Sequence, residues 1–227
     1  MAADIKLLSG GAMKLFMEAV TPLFERAGGH TVSLQFAPTL SQKKLIEDGA
    51  AFDLALLPRE VIDDLAQQGK VTGGAIDVTR SAVGVTIRAG ASKPDIATAE
   101  AFRRTLMAAR TISYSDGPSG VYIASLLARL GFAEEMSAKT RLAQGRPVAD
   151  LVAKGEAEIG MQQITEILPV TGAELLGPLP DELQNIIVYA AGIGTAAREA
   201  DAARAFVKFL ATPEVVRVMT AMGMEPG

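Results

Sequence analysis

Strand and helix signals alternate through residues 5–69, and each helix signal ends at a glycine. That rhythm restricts the chain to α/β folds. A short apolar run at residues 5–9 meets Gly10-Gly11. Beyond it Met13, Phe16, Met17, Val20, Leu23 and Phe24 share one helix face, Pro22 marks a point where the helix can kink, and Gly28-Gly29 stops it. Residues 32–36 alternate as a strand, 40–48 read as a helix stopped by Gly49, 53–57 as a buried strand, and 60–68 as a helix stopped by Gly69. Strands separated by helices require right-handed crossovers, so a mostly parallel sheet is expected.

A long strand at 81–88 has no helix directly behind it, because residues 89–94 read as a loop. The rhythm then restarts with a helix at 98–109, a strand at 111–114, helices at 118–130 and 147–154, and a strand at 158–162. A further strand at 186–191 precedes two amphipathic helices at 202–210 and 213–222, the second with Thr212 as N-cap and Pro213 in its first turn. The chain therefore divides into one lobe of residues 1–81 plus 187–227 and another of residues 82–186, each an α/β unit. Two such units joined by two long strands predict a ligand cleft between them and closure by hinge motion.

Composition removes whole classes of chemistry. The 227 residues include 22 Lys+Arg and 26 Asp+Glu, a net charge of −4, with no Trp, three Tyr and eight Phe. A mildly acidic chain poor in aromatic residues lacks the basic surface and the stacking platforms of a nucleic-acid binder. No apolar run approaches the roughly 18 residues needed to cross a bilayer. Zero cysteines exclude disulfides, thiolate catalysis and Cys-ligated metals, and the single histidine, His30, excludes multi-imidazole sites. Neither a metal nor a cofactor is expected. The N-terminus carries no signal-peptide pattern, yet Met1-Ala2-Ala3 could precede the mature end of a processed precursor. The compartment is periplasmic if a signal was removed and cytoplasmic otherwise.

What remains is an anion-binding toolkit. Ser9-Gly10-Gly11 before a helix either cradles an anion with backbone N–H groups or is a plain tight turn. Asp116-Gly117-Pro118-Ser119-Gly120 offers the same pair of readings, with the Tyr122 hydroxyl one turn on. Lys14, in the first turn of its helix, either pairs with a ligand carboxylate or is solvated. Lys43, Lys44 and Arg146 are further cations. Gln162 and Gln163 stand at the carboxyl end of a strand, where open α/β sheets place ligand contacts. His30 falls in a turn at the opposite edge and is expected on the surface. The methionines lie mostly at helix-face spacing and read as core.

Several segments resemble the periplasmic solute-binding proteins of the molybdate-binding type: Leu8-Ser9-Gly10-Gly11-Ala12, residues 46–54 (I-E-D-G-A-A-F-D-L), Pro118-Ser119-Gly120-Val121-Tyr122, and residues 155–160. The resemblance covers essentially the whole chain. It implies a two-lobed periplasmic-binding-protein-like fold of type II, with two mostly parallel sheets flanked by helices, a double-strand hinge and an anion between the lobes. The family's oxyanion-binding serines fall on Ala12 and Thr39, Ser119 replaces an alanine, and Gln163 stands where the family has a tyrosine. Together with the residue-level readings above, the candidate ligand-binding set is Ser9, Gly10, Gly11, Ala12, Lys14, Thr39, Ser119, Gly120, Tyr122, Gln162 and Gln163, and the expected ligand is a small oxyanion or carboxylate. A monomer that delivers its ligand to an ABC transporter membrane subunit is expected. The superfamily also includes a periplasmic aconitate isomerase, so a cofactor-independent isomerase of a small polycarboxylate is the alternative. Its proton carrier would be Lys14, Tyr122, Glu166 or a loop aspartate. An intracellular ligand sensor is a third reading.

Overall fold

The computed structural model describes residues 2–227. In chain order the elements are β1 (Asp4–Gly10), a 3-10 turn at Gly11–Met13, α1 (Lys14–Gly28), β2 (Thr31–Ala37), α2 (Thr39–Glu47), β3 (Leu54–Pro58), α3 (Arg59–Gln67), β4 (Val71–Arg88), α4 (Ala99–Ala108) and β5 (Ile112–Ser115). There follow α5 (Pro118–Arg129), α6 (Ala133–Ser137), β6 (Thr140–Ala143), α7 (Val148–Ala153), β7 (Ile159–Gln163), α8 (Ile164–Ile167) and β8 (Ala173–Pro178). The chain closes with a 3-10 turn at Asp181–Leu183, β9 (Ile186–Gly194), α9 (Ala200–Leu210), α10 (Pro213–Ala221) and β10 (Met224–Pro226). Two compact units result: unit 1 is residues 1–80 with 187–227, and unit 2 is residues 81–186.

In unit 1 the strand order runs β2-β1-β3-β9. β1 is parallel to β2 and β3, while β9 runs antiparallel to β3. The two-residue alternation of side chains sorts the core into two layers. Ile5, Leu7, Leu54, Leu56, Tyr189 and Ala191 face α1, α9 and α10, with Phe16, Phe24 and Phe206 among the residues they meet. Leu8, Ala55, Leu57 and Ala190 face the other way, onto Ile46 of α2 and Val61, Ile62 and Leu65 of α3. Helix α1 runs unbroken through Pro22, and its C-cap is Gly29 in the left-handed conformation at φ 65°. The N-terminus of α9 is tied down by Asp53, a buried carboxylate whose Oδ1 accepts from the N–H groups of Arg198 (2.8 Å) and Glu199 (2.9 Å), and whose Oδ2 accepts from Lys6 N–H (2.9 Å).

Unit 2 repeats the plan with fewer parallel strands. β7, β5 and β6 are parallel in that order, and β4 pairs antiparallel with both β7 and β8. Val83, Val85, Ile112, Ile159 and Met161 pack on one face with Phe102 and Leu106 of α4, Ile123, Leu126 and Leu127 of α5, and Phe132. The opposite face carries Val148, Leu151 and Val152 of α7 with Ala143 and Ala157.

Each sheet carries antiparallel members beside its parallel run, β9 in unit 1 and β4 and β8 in unit 2. Two expectations need correction. The strand expected at 81–88 begins at Val71, since polar and glycine positions such as Gly73 and Gly74 hide its first half from pattern reading. Thr212 occupies the N-cap position of α10 but makes no capping bond, and its buried hydroxyl has no partner. Among the described residues no helix is long and apolar enough to cross a membrane.

Candidate functional site

Parallel strands aligned by hydrogen bonding end at a common edge, and the helices that follow begin there with N–H groups that have no intrahelical partner. In unit 1, β1 delivers Ser9 and Gly10 to that edge and β2 delivers Ala37 beside Gly10. The turn Gly11–Met13 and helix α1 start from one, α2 from the other. Their starts meet: a Cβ on Gly10 would lie 3.3 Å from Thr39 Oγ1. Gly11 is exposed, with open space where a side chain would stand, and Ala12 is half-buried. The first-turn N–H groups of both helix starts therefore gather around Gly10, the arrangement that attracts negative charge.

The side chains there are largely committed elsewhere. Ser9 is fully buried and its Oγ donates to Leu56 O at 3.0 Å, so it braces β1 against β3. Lys14 is exposed and lies 3.9 Å from Glu18, a weak solvent-facing pair. Lys43 is held by Glu47 (2.9 Å) and by Asp64 of α3 (2.7 Å), and the exposed Lys44 by Asp48 (3.2 Å). Sequence reasoning missed Gln42, which is fully buried: its Nε2 donates to Ser9 O (3.1 Å) and Gln35 O (2.8 Å), clamping the ends of β1 and β2 together. The signal for it was present, because Gln42 sits one turn before the buried Ile46 on the inward face of α2.

In unit 2, β5 ends at Ser115 and α5 begins three residues later. The Ser115 Oγ accepts from Gly117 N–H at 3.3 Å, which tightens the turn. Gly120 is then pressed onto the strand end so closely that a Cβ would lie 1.6 Å from Ser115 O. Only glycine fits. Ser119 is buried beside it, and the Ser119 and Gly120 N–H groups sit in the first turn, ahead of the Val121 N–H that bonds Gly117 O. Tyr122 faces away from this edge: its hydroxyl donates to Leu183 O at 2.8 Å and accepts from Arg129 at 3.2 Å, and Arg129 also stacks on its ring. Those bonds give Tyr122 an internal bracing role. Arg146, in the loop after β6, is neutralised by Glu156.

Strand β7 brings Gln162 and Gln163 to the same edge, both 2% exposed. Alternation sends them to opposite faces. Gln162 Oε1 accepts from Ala149 N–H at 2.7 Å, on the α7 side. Gln163 shares a face with Met161 and lies opposite Val83, the face that α5 covers, and its Oε1 is buried without a partner. Buried amide oxygens are rarely left unpaired, and Gln42 Oε1 in unit 1 is in the same condition. Glu166, in the first turn of α8, lies against the Gln162 amide and the Gln163 N–H. Burial pushes its carboxyl above the ordinary range, and those two donors pull it back part of the way.

The structure thus groups Gly10, Gly11, Ala12 and Thr39 in unit 1, and Ser119, Gly120, Gln162 and Gln163 in unit 2. His30 lies away from both groups: its Nδ1 accepts from Ala3 N–H at 3.2 Å and its ring stacks on Phe24. Unit 2 also carries a cavity of about 640 Å³ lined by Arg88, Arg104 and Arg110, at the opposite edge of its sheet and touching none of the candidate residues. No group of three His, Cys, Asp or Glu side chains suited to a metal ion occurs among the described residues.

Known proteins share this plan. The chain is 32% identical to an aconitate isomerase from a Pseudomonas species over 228 residues, covering 97% of this chain and 86% of the relative. It is 26% identical to the molybdate-binding protein ModA of Azotobacter vinelandii, with 98% and 90% covered. The solved structure of the Azotobacter vinelandii periplasmic molybdate-binding protein superposes with a TM-score of 0.78 at 20% identity, over 98% of this chain and 99% of the other. Type II periplasmic binding proteins therefore share its fold. Residues 5–225 match the model of the bacterial extracellular solute-binding proteins, and the chain belongs to that family.

Proposed function

We propose that this protein captures a small anion, an oxyanion or a small carboxylate, through backbone N–H groups at the carboxyl edges of its two sheets. The observation that carries the reading is the closeness of α5 to the end of β5. The Ser119 and Gly120 N–H groups stand in the first turn of α5, which has no intrahelical partners for them, at the carboxyl end of β5. Glycine at position 10 and the open position at Gly11 support the same chemistry in unit 1. Oxyanion ligands in the family support it further, since the molybdate-binding relative handles such an ion. The protein acts as a monomer in the periplasm and passes its ligand to a membrane transporter. A thermal-shift panel of molybdate, tungstate, sulfate, phosphate, succinate, citrate and cis-aconitate tests the proposal. A binder present at 100 times its Kd stabilises the fold by about 2.7 kcal/mol. A panel in which no anion moves the melting temperature refutes it.

A second reading is favoured by one finding, the 32% identity to an aconitate isomerase. On that reading the site shifts a double bond in a small polycarboxylate. A side chain of the site takes a proton alpha to a carboxylate, and N–H groups hold the charge that develops on the carboxylate oxygens. Lys14 is exposed beside Glu18 and Tyr122 is bonded to Leu183 O, which leaves Glu166, in the first turn of α8, among the acids named for that task. Incubation of pure protein with cis-aconitate, followed by NMR, decides it: growth of the trans isomer supports the isomerase, and an unchanged spectrum over hours excludes it.

A further inference from the structure

At the edge of unit 2 opposite the candidate groups, the cavity of about 640 Å³ lies between the loop after β4, helix α4 and the turn before β7. Every residue that lines it belongs to unit 2. Its size falls in the range of small-ligand pockets, roughly 300–1,000 Å³. The floor is apolar: Ile87 and Ile159 are partners in the β4–β7 pairing, with Ala101, Ala109 and Ala157 beside them, all at most 5% exposed. The loop wall is held in place. Thr105 Oγ1 donates to Asp95 O at 2.7 Å, Ala97 N–H donates to Asp95 Oδ1 at 2.9 Å, and Lys93 pairs with Glu174 at 2.5 Å.

The rim is cationic in a chain whose net charge is −4. Arg88, Arg104 and Arg110 stand there against two carboxylates, Asp95 and Glu158. Both acids are already engaged, Asp95 by the Ala97 N–H and Glu158 by Arg110, whose backbone N–H (2.9 Å) and Nε (3.4 Å) both donate to Glu158 Oε2. Arg104 is held by Glu100 at 2.9 Å, an exposed pair of little worth that gives way easily. The Arg88 guanidinium has no hydrogen-bond or ion-pair partner among the described residues. It reaches the turn at Gly155, where a Cβ would lie 4.0 Å from its Nη1.

Helices α4 and α7 end at this edge, and the carbonyls of a helix end repel an anion. On α4 that charge is masked, because Lys139 Nζ donates to the carbonyls of Leu106 (3.0 Å), Met107 (2.7 Å) and Ala109 (3.0 Å). Recognition here falls to side chains, since the free N–H groups of a helix lie at its other end. A planar guanidinium fork matches a carboxylate through two parallel bonds. Three guanidinium groups against two carboxylates leave one positive charge, which suits a singly charged head group, and the apolar floor suits a hydrocarbon body.

We infer that this cavity is a second ligand site and that it takes a small monocarboxylate with an apolar body, its head on Arg88 and its body on the Ile87–Ile159 floor. None of the N–H groups invoked for anion capture takes part, so the two sites stand or fall separately. Amide-resolved NMR titration of the full chain with benzoate, hexanoate, benzamide and inorganic phosphate tests the assignment, on the wild type and on Arg88→Gln. In the wild type benzoate and hexanoate saturate one site, with shifts at the amides of Ala91, Thr111 and Ala157. Benzamide, which lacks the charge, and phosphate, which lacks the apolar body, bind more weakly by about tenfold or more. Arg88→Gln, at an exposed position, weakens benzoate by a similar factor, while amide shifts far from the cavity stay those of the wild type. Absence of binding by both carboxylates in the millimolar range overturns the inference. So does benzamide or phosphate binding as tightly as benzoate, or full benzoate affinity in Arg88→Gln. Shifts confined to the Gly10-Gly11 and Ser119-Gly120 turns also overturn it, and they leave the anion-capture reading standing. The wild-type arms need no variant to fold.

Discussion

Gly120→Ala is the most informative single change in this protein, because two opposing magnitudes can be set against each other before the experiment. In an unconstrained helix alanine is favoured over glycine by about 1 kcal/mol. Here the added carbon would sit 1.6 Å from Ser115 O and 2.5 Å from Ser115 C. A carbon and a carbonyl oxygen settle at about 3.3 Å, so the first turn of α5 must retreat by about 1.7 Å. The obstacle is backbone, not a side chain that can swing aside. Overpacking of this kind costs about 1–3 kcal/mol or more, which exceeds the propensity gain, and a net loss of about 2 kcal/mol corresponds to roughly 8 °C in melting temperature for a unit of this size.

Binding suffers separately. The retreat carries the Ser119 and Gly120 N–H groups away from their positions, and losing one charge-assisted bond of about 1.5–3 kcal/mol lowers affinity by roughly 10- to 150-fold. The control is Gly117→Ala, where the new carbon meets Ser115 Oγ at an ordinary 3.5 Å and the backbone has φ −79°. Calorimetric melting and titration with the best anion of the panel, run on both variants, check the reasoning. A Gly120→Ala protein that melts and binds like the wild type would refute it, as would a Gly117→Ala protein that fails equally.

Four further outcomes are expected. Asp53→Ala strips the acceptor from three backbone N–H groups at the β1 and α9 starts and destabilises unit 1 by about 3–5 kcal/mol, read as a loss of cooperative unfolding in urea; a shift under 1 kcal/mol contradicts the capping role. Burial raises the Glu166 pKa above its unfolded value, so the protonated form is the one favoured by folding. Its stabilising contribution is full below the ordinary carboxyl range and is lost as pH rises through the folded pKa. The melting-temperature gap between Glu166→Gln and wild type should therefore widen in favour of the variant from pH 4 upward and then level off; a flat gap contradicts the burial. Ser9→Ala removes the bond to Leu56 O and costs about 1 kcal/mol, whereas Lys14→Ala, at an exposed pair, leaves the melting point of the free protein unchanged within 1 °C by differential scanning fluorimetry.

Much of the fold was legible because its local and global preferences agree. The helix face of Met13, Phe16, Met17, Val20 and Phe24 is the one buried against the sheet, and Gly29 stops α1 where the pattern runs out. The first half of β4 was not legible, since Thr72, Gly73, Gly74 and Asp77 are poor strand formers that tertiary pairing overrides. Short elements such as β6 and β8 carry too few residues to show a period. At the candidate site the sequence pointed to turns that the fold brings to the sheet edges, but not to which of their side chains are already committed to internal hydrogen bonds. Ser9, Tyr122 and Gln42 are polar and near the turns, yet only the three-dimensional hydrogen bonding reveals that Ser9 and Tyr122 brace the scaffold and that Gln42 clamps two strand ends. Glu166 was recognisable as one acid among several; its contact with the Gln163 N–H follows from its place three residues after the N-cap of α8, a spacing the sequence carries.

The division of the chain has a consequence for synthesis. Unit 2 is a continuous stretch inserted into unit 1, whose sheet needs β9 on the outer side of β3. A nascent chain reaches β3 early, but the strand that covers its edge leaves the ribosome only after all of unit 2 has been made, a delay on the order of ten seconds at cellular rates. During that interval the Leu54–Pro58 edge is an open template for foreign strands. Unit 2 can complete its own sheet before unit 1 does, so the inserted half matures first and the half that holds both termini closes last.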